Sequence, residues 1–266
     1  MSLEAAIFSK RFITLSISTL VVVLGLLVVS SVIFVLVWPE SWLFIRFQVD
    51  VDNEGNWATW FSSTIDLLTC IVAFINAWLI NRRAHSSLSN DAIGWMISGC
   101  VFIYLGMDDA AQIHEHTAGF FSWVIDWAKL YLPFVERLRW YIWIPALGIP
   151  GTIILTAICK FLYRNMWAVR SARWLLLAGF ILFMSNPITE VIGTYFETPK
   201  DGSPFRQTAE QLYLNDYDSW LALKAVNLVQ ETSEMAGVIC FLSGFLLFGE
   251  SLIGGAVPLA IRPSPQ

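Results

Sequence analysis

The chain has 266 residues, 56% of them hydrophobic and 14% charged, with a mean hydropathy of +0.62. An ordinary soluble domain carries about 25% charged residues, and a disordered chain needs low hydrophobicity with high net charge, so both classes are excluded. A net charge of −5 gives nucleic-acid binding no electrostatic support. What remains is an all-α, polytopic membrane helix bundle of about six transmembrane helices.

Lys10 and Arg11 precede an apolar run over 12–37. It is longer than a signal-peptide core and has no small-residue cleavage site, so it reads as the first span. Residues 38–56 follow as an outer loop rich in aromatics, with Asp50, Asp52 and Glu54. Its DVDNEG stretch lacks the full twelve-residue calcium loop and reads as solvated. The second span covers 57–80, and the third covers 92–116 if it tolerates charge at its end. Residues 117–139 pattern as an amphipathic interfacial helix broken near Pro133.

The fourth span covers 140–163, with Gly148, Pro150 and Gly151 marking a kink or a close-packing point. The fifth covers 174–196, loosened at Asn186-Pro187. An outer loop over 197–219 opens with turn chemistry at Pro199, Asp201, Gly202 and Pro204 and leads into the sixth span, 220–248. Residues 1–253 form one transmembrane domain and 254–266 a polar tail. Four lone cysteines, Cys70, Cys100, Cys159 and Cys240, read as small buried hydrophobes.

Tryptophans and tyrosines cluster at the span ends as interfacial belts do. Lys10, Arg11, Arg82, Arg83, Lys160, Arg164, Arg170, Arg173 and Arg262 fall on one side, while most acids fall on the other. The positive-inside rule then puts both termini in the cytoplasm of a bacterial inner-membrane protein.

Ionisable residues inside spans cost ~2.5–3.5 kcal/mol each and are functional candidates. This chain places Asp66 on the second span, Asp108, Asp109, His114, Glu115 and His116 on the third, Glu190 on the fifth, and Glu231 and Glu234 on the sixth. At helical rise Asp66 lies ~14 Å and Glu231 ~16 Å from the outer end of its span, with Asp108 and Glu190 ~6 Å below the outer boundary. All fall in the same half of the bilayer. Asp108, Gln112 and Glu115 share one helical face with Asp109 and His116 on its flank, while Lys224, Asn227, Glu231 and Glu234 form a second polar stripe. Carboxylates at i, i+3 must share a proton, pair with a cation or border water.

Three stretches carry a resemblance: DVDNEGNWATWFSS (50–63), LGMDDAAQIHE (105–115) and QETSEMAG (230–237). Together they resemble an uncharacterised family of bacterial multi-pass membrane proteins, with Asp-Glu…His-Glu on one span and Glu-Glu-x-x-Glu-Met on the last. The likeness covers about 50–248 and departs at Asp109 and Gln230, where the family pattern implies glutamates. It implies a shared site and no particular reaction.

Three functions stay open. In the first, Asp108, Glu115, Glu231 and Glu234 bind a divalent ion (Mg²⁺, Mn²⁺ or Fe²⁺), with His114 or Asp109 as general base. Asp66, Gln112, His116, Glu190, Asn227 and Gln230 are further site candidates. Metal-activated water then attacks a lipid ester at the outer leaflet, or an oxidation takes electrons from a partner. The second is a proton- or cation-coupled carrier using the same carboxylates. In the third, a non-catalytic subunit or assembly factor, the aromatic outer loops meet a membrane-protein partner, membrane lipids surround the bundle, and the acids form a packing network.

Overall fold

Buried side chains recur every three or four positions along most of the chain, and in the computed structural model these stripes fold as helices. The structure describes residues 6–36, 55–84, 88–111, 123–130, 149–193 and 216–255, with positions 48 and 113. The described residues are all-helical, without strands. Seven helices follow one another: α1 (Lys10–Leu36), α2 (Trp57–Ala84), α3 (Asn90–Ala111), α4 (Ile149–Asn165), α5 (Arg170–Met184), α6 (Asn186–Gly193) and α7 (Asp216–Ile253). Three stretches are long and apolar enough to cross a membrane: Lys10–Ile33, Trp57–Arg83 and Leu221–Ile253. That points to a membrane-associated chain.

Helix starts follow the local chemistry. Gly55 takes φ +74°, which glycine adopts without a Cβ clash. Asn56 then caps α2, its Oδ1 accepting the backbone N–H groups of Ala58 (2.8 Å) and Thr59 (3.1 Å). The DVDNEG stretch therefore ends in a helix cap, while 51–54 lie outside the described residues. Asn56→Ala is expected to cost about 1 kcal/mol, measured as a lowered unfolding midpoint in detergent. Ser89 caps α3 through the Ala92 N–H at 3.1 Å. The α5–α6 break falls at Ser185, one residue before Asn186-Pro187. Proline has no N–H to continue the helical ladder, so the fifth apolar segment is two helices rather than one.

Contacts set the helix directions. Trp95 stacks on Phe248 (centroids 5.0 Å, 11°) and Phe102 meets Phe241 edge-on at 5.4 Å, so α3 runs antiparallel to α7. The Asn76 Nδ2 donates to the Phe245 carbonyl at 3.0 Å and Asp66 lies near Glu234, which makes α2 and α7 parallel. A Cβ on Gly179 would sit 2.8 Å from the Gly237 carbonyl oxygen, and one on Gly244 3.1 Å from the Ala172 oxygen. These contacts lie seven residues apart on both helices, so α5 and α7 pack antiparallel through a seam of small residues that brings the backbones together. Phe8 meets Gly249, so the start of α1 and the end of α7 stand at one end of the bundle.

One expectation changes, that for the cysteines. Cys100 is exposed on α3, whereas Cys70 and Cys159 are buried. The fragment of the interfacial segment that is described is helical over 123–128, burying Ile125 while Trp123 and Trp127 stay exposed. That is the amphipathic pattern expected there; Pro133 lies outside the described residues.

Candidate functional site

The core stripes of three helices end in carboxylates at one level. On α3 the inward positions Trp95, Gly99, Phe102 and Gly106 advance by four, three and four residues, and the next inward position is Asp109. On α2 the stripe through Ala58, Ser62 and Thr69 includes Asp66, which is 2% exposed. On α7 the stripe of Val238, Phe241 and Phe245 continues back to Glu234. The charges of Asp109 and Glu234 both bear on Asp66. Three carboxyls from three helices therefore share one polar layer, away from the end where Phe8 meets Gly249.

Neutral side chains orient two of them. The Ser62 hydroxyl donates to Asp109 Oδ2 at 2.5 Å, and the Asn186 Nδ2 donates to Glu234 Oε2 at 2.6 Å. Such bonds to a carboxylate are short and strong. The helix break at Ser185 positions Asn186 for this, at the first residue of α6. Gly106 lets α2 and α3 close over the layer, since a Cβ there would lie 3.0 Å from Asp66 Cβ and 3.2 Å from the Ser63 carbonyl.

The layer is not fully satisfied. Among the described residues the Asp66 Oδ1, Ser63 Oγ, Asn186 Oδ1 and Thr232 Oγ1 atoms are buried without a hydrogen-bond partner. A buried polar group left unpaired costs about 1–3 kcal/mol, so these atoms are the polar groups of the layer open to a further partner.

The expected site residues divide as follows. Asp66, Asp109 and Glu234 come together. Asp108, one position and ~100° round α3 from Asp109, is half-buried and lies beside Tyr104. Glu231, Asn227, Gln230 and Lys224 are half-buried on α7 and engage neighbours of their own. Glu190 falls on α6. Gln112, His114, Glu115 and His116 lie outside the described residues. Among the described residues no group of three or more His, Cys, Asp or Glu side chains is arranged to hold a metal ion. At the α2–α3 contact Asp109 lies on the core stripe of α3, while Gln112 and Glu115 of the expected face lie outside the described residues.

The sequence alone marks Asn186 with Pro187 as loosening the fifth span and singles out no role for Gly106. The structure ties Asn186 to Glu234 and puts Gly106 beneath Asp66. The signal for Gly106 was its place on the stripe one turn before Asp109.

A family model described as Domain of unknown function (DUF8692) matches residues 14–248. The chain belongs to that family. The DUF8692 match contains every residue of the carboxylate layer and agrees with the resemblance to an uncharacterised family. No curated protein and no solved structure matches the chain.

Proposed function

We propose that this DUF8692 chain is a six-span bacterial inner-membrane protein whose outer-leaflet carboxylates hold a divalent cation and direct it at a lipid-like ester. The observation that carries the reading is Asp66, a 2%-exposed carboxyl with an unpartnered oxygen and two further carboxyls within electrostatic reach. Buried like charges cost several kcal/mol unless something compensates them. A hard divalent cation compensates them with oxygen ligands.

Several features favour six crossings with both termini inside. The helix directions alternate, and α5 with α6 together cover residues 170–193. Lys10, Arg11, Arg82, Arg83, Arg170 and Arg173 sit on helix ends at the terminus-bearing end, as the positive-inside rule asks. Asp66, Asp109 and Glu234 do not by themselves form a metal-holding group, so the proposed donors are Asp66 and Glu234, completed by Asp108, Glu231 or the His114–His116 segment, which are close by in sequence. When bound, the cation supplies an acidified water. Asp109, held by Ser62, would accept that water's proton and return it to the alcohol oxygen released as the ester bond breaks.

A second reading is a cation-coupled carrier. The helix break at Ser185 beside the carboxylates favours it, since broken helices line coupling-ion sites in transporters.

The test is metal content. Protein purified in mild detergent without chelators is expected to carry a near-stoichiometric divalent metal by mass spectrometry, lost in Glu231→Gln/Glu234→Gln while membrane insertion is retained. No metal in either sample, with partner proteins co-purifying, would replace this reading with that of a non-catalytic subunit or assembly factor.

A further inference from the structure

An open groove of about 570 Å³ lies at the other end of the bundle, lined by Ala168, Val169, Arg170, Ser171, Trp174 and Ser251. It sits where the α4–α5 corner meets the last turn of α7. Its volume is within the range of small-ligand sites, and its walls mix one cation and two hydroxyls with apolar side chains.

The surroundings select the ligand's charge. No Asp or Glu occurs between Glu136 and Glu190, whereas Lys160, Arg164, Arg170 and Arg173 all fall there. Arg173 is held elsewhere, its guanidinium 4.2 Å from the Trp167 ring centroid and 5.5 Å from that of Tyr163, a stacking that stiffens the corner. Arg170 is therefore the cation of the groove. Glu250 precedes Ser251 but points ~100° away round the helix. Trp167 and Trp174 are 62% and 58% exposed, as aromatic side chains at a membrane interface are.

From this we infer a headgroup site for an anionic phospholipid, with the phosphate on Arg170 and Ser171 and the glycerol and first methylenes along Trp174 and Val169; Ser251, whose hydroxyl donates to the Phe248 carbonyl at 2.6 Å, forms a wall of the groove. Basic pockets between helices at the cytoplasmic face hold such headgroups by this chemistry. The inference rests on the membrane reading above but on neither the cation nor the reaction.

Native mass spectrometry of the detergent-solubilised full chain tests it, with phosphatidylglycerol or phosphatidylcholine of matched acyl chains added. One phosphatidylglycerol adduct is expected, favoured roughly tenfold over phosphatidylcholine, the ratio expected from one charge-assisted bond. Arg170→Gln should lower it about tenfold, while Arg164→Gln, which removes a charge outside the groove, and Asp66→Asn, which removes the cation site, should leave it. Excess inorganic phosphate should not displace it. Equal adducts for the two lipids, equal losses in the two arginine variants, or displacement by free phosphate would each overturn the assignment.

Discussion

Asp66→Asn is expected to raise the unfolding midpoint of the cation-free protein in detergent and to abolish its stabilisation by Mn²⁺. The carboxyl is buried at 2% exposure with an oxygen unpaired among the described residues and has Asp109 and Glu234 within electrostatic reach. Removing one like charge from such a layer relieves repulsion and desolvation, a gain of about 1–3 kcal/mol by analogy with buried ion groups replaced by neutral ones. The same substitution deletes a ligand, so the wild-type gain with added cation, which follows the ratio of free ligand to its dissociation constant, should vanish. This opposition between stability and binding is the mark of a functional site. Thermal unfolding of both proteins, with and without Mn²⁺, reads both effects. A midpoint that falls in the variant would mean that Asp66 is a satisfied packing acceptor.

Gly179→Val should cause the largest loss of stability of any substitution considered. Its Cβ would stand 2.8 Å from the Gly237 carbonyl oxygen and 3.3 Å from Cys240 Cβ. These are backbone and near-backbone atoms of α7, so no flexible side-chain end can move aside. Overpacking of this kind costs about 1–3 kcal/mol or more. Separation of α5 from α7 also draws Asn186 off Glu234, so cation affinity should fall although no donor is altered. Gly151→Ala is the contrast: no atom lies within 4 Å of the added Cβ among the described residues, and the change gains helix propensity of up to ~1 kcal/mol. Paired unfolding curves decide the matter. A Gly179→Val midpoint equal to that of Gly151→Ala would contradict the α5–α7 seam.

How much of this was legible in the sequence differs from helix to helix. Apolar runs alone locate the first and last long helices, because long uninterrupted runs leave few alternatives: the expected 12–37 is Lys10–Leu36, and 220–248 falls within Asp216–Ile253. Helix rotation was harder. Asp108, Gln112 and Glu115 make a self-consistent face, but the polar residues were aligned with one another and not with the Trp95–Gly99–Phe102–Gly106 stripe. Large apolar and small residues fix the rotation by packing, so Asp109 turns inward. The Asn186–Glu234 bond was not legible at all. It depends on two helices 48 residues apart, and nothing local to Asn186 distinguishes Glu234 from Glu190.

The central claim is that Asp66 and Glu234, on separate helices, act as one cation site. A double-mutant cycle tests it most directly: Mn²⁺ affinity by electron paramagnetic resonance for wild type, Asp66→Asn, Glu234→Gln and the double variant. Residues of one site couple strongly, whereas independent ones add. Each single change should remove nearly all binding, with the double variant no weaker than either. Losses that simply add, or affinity unchanged in the double variant, would contradict the shared site.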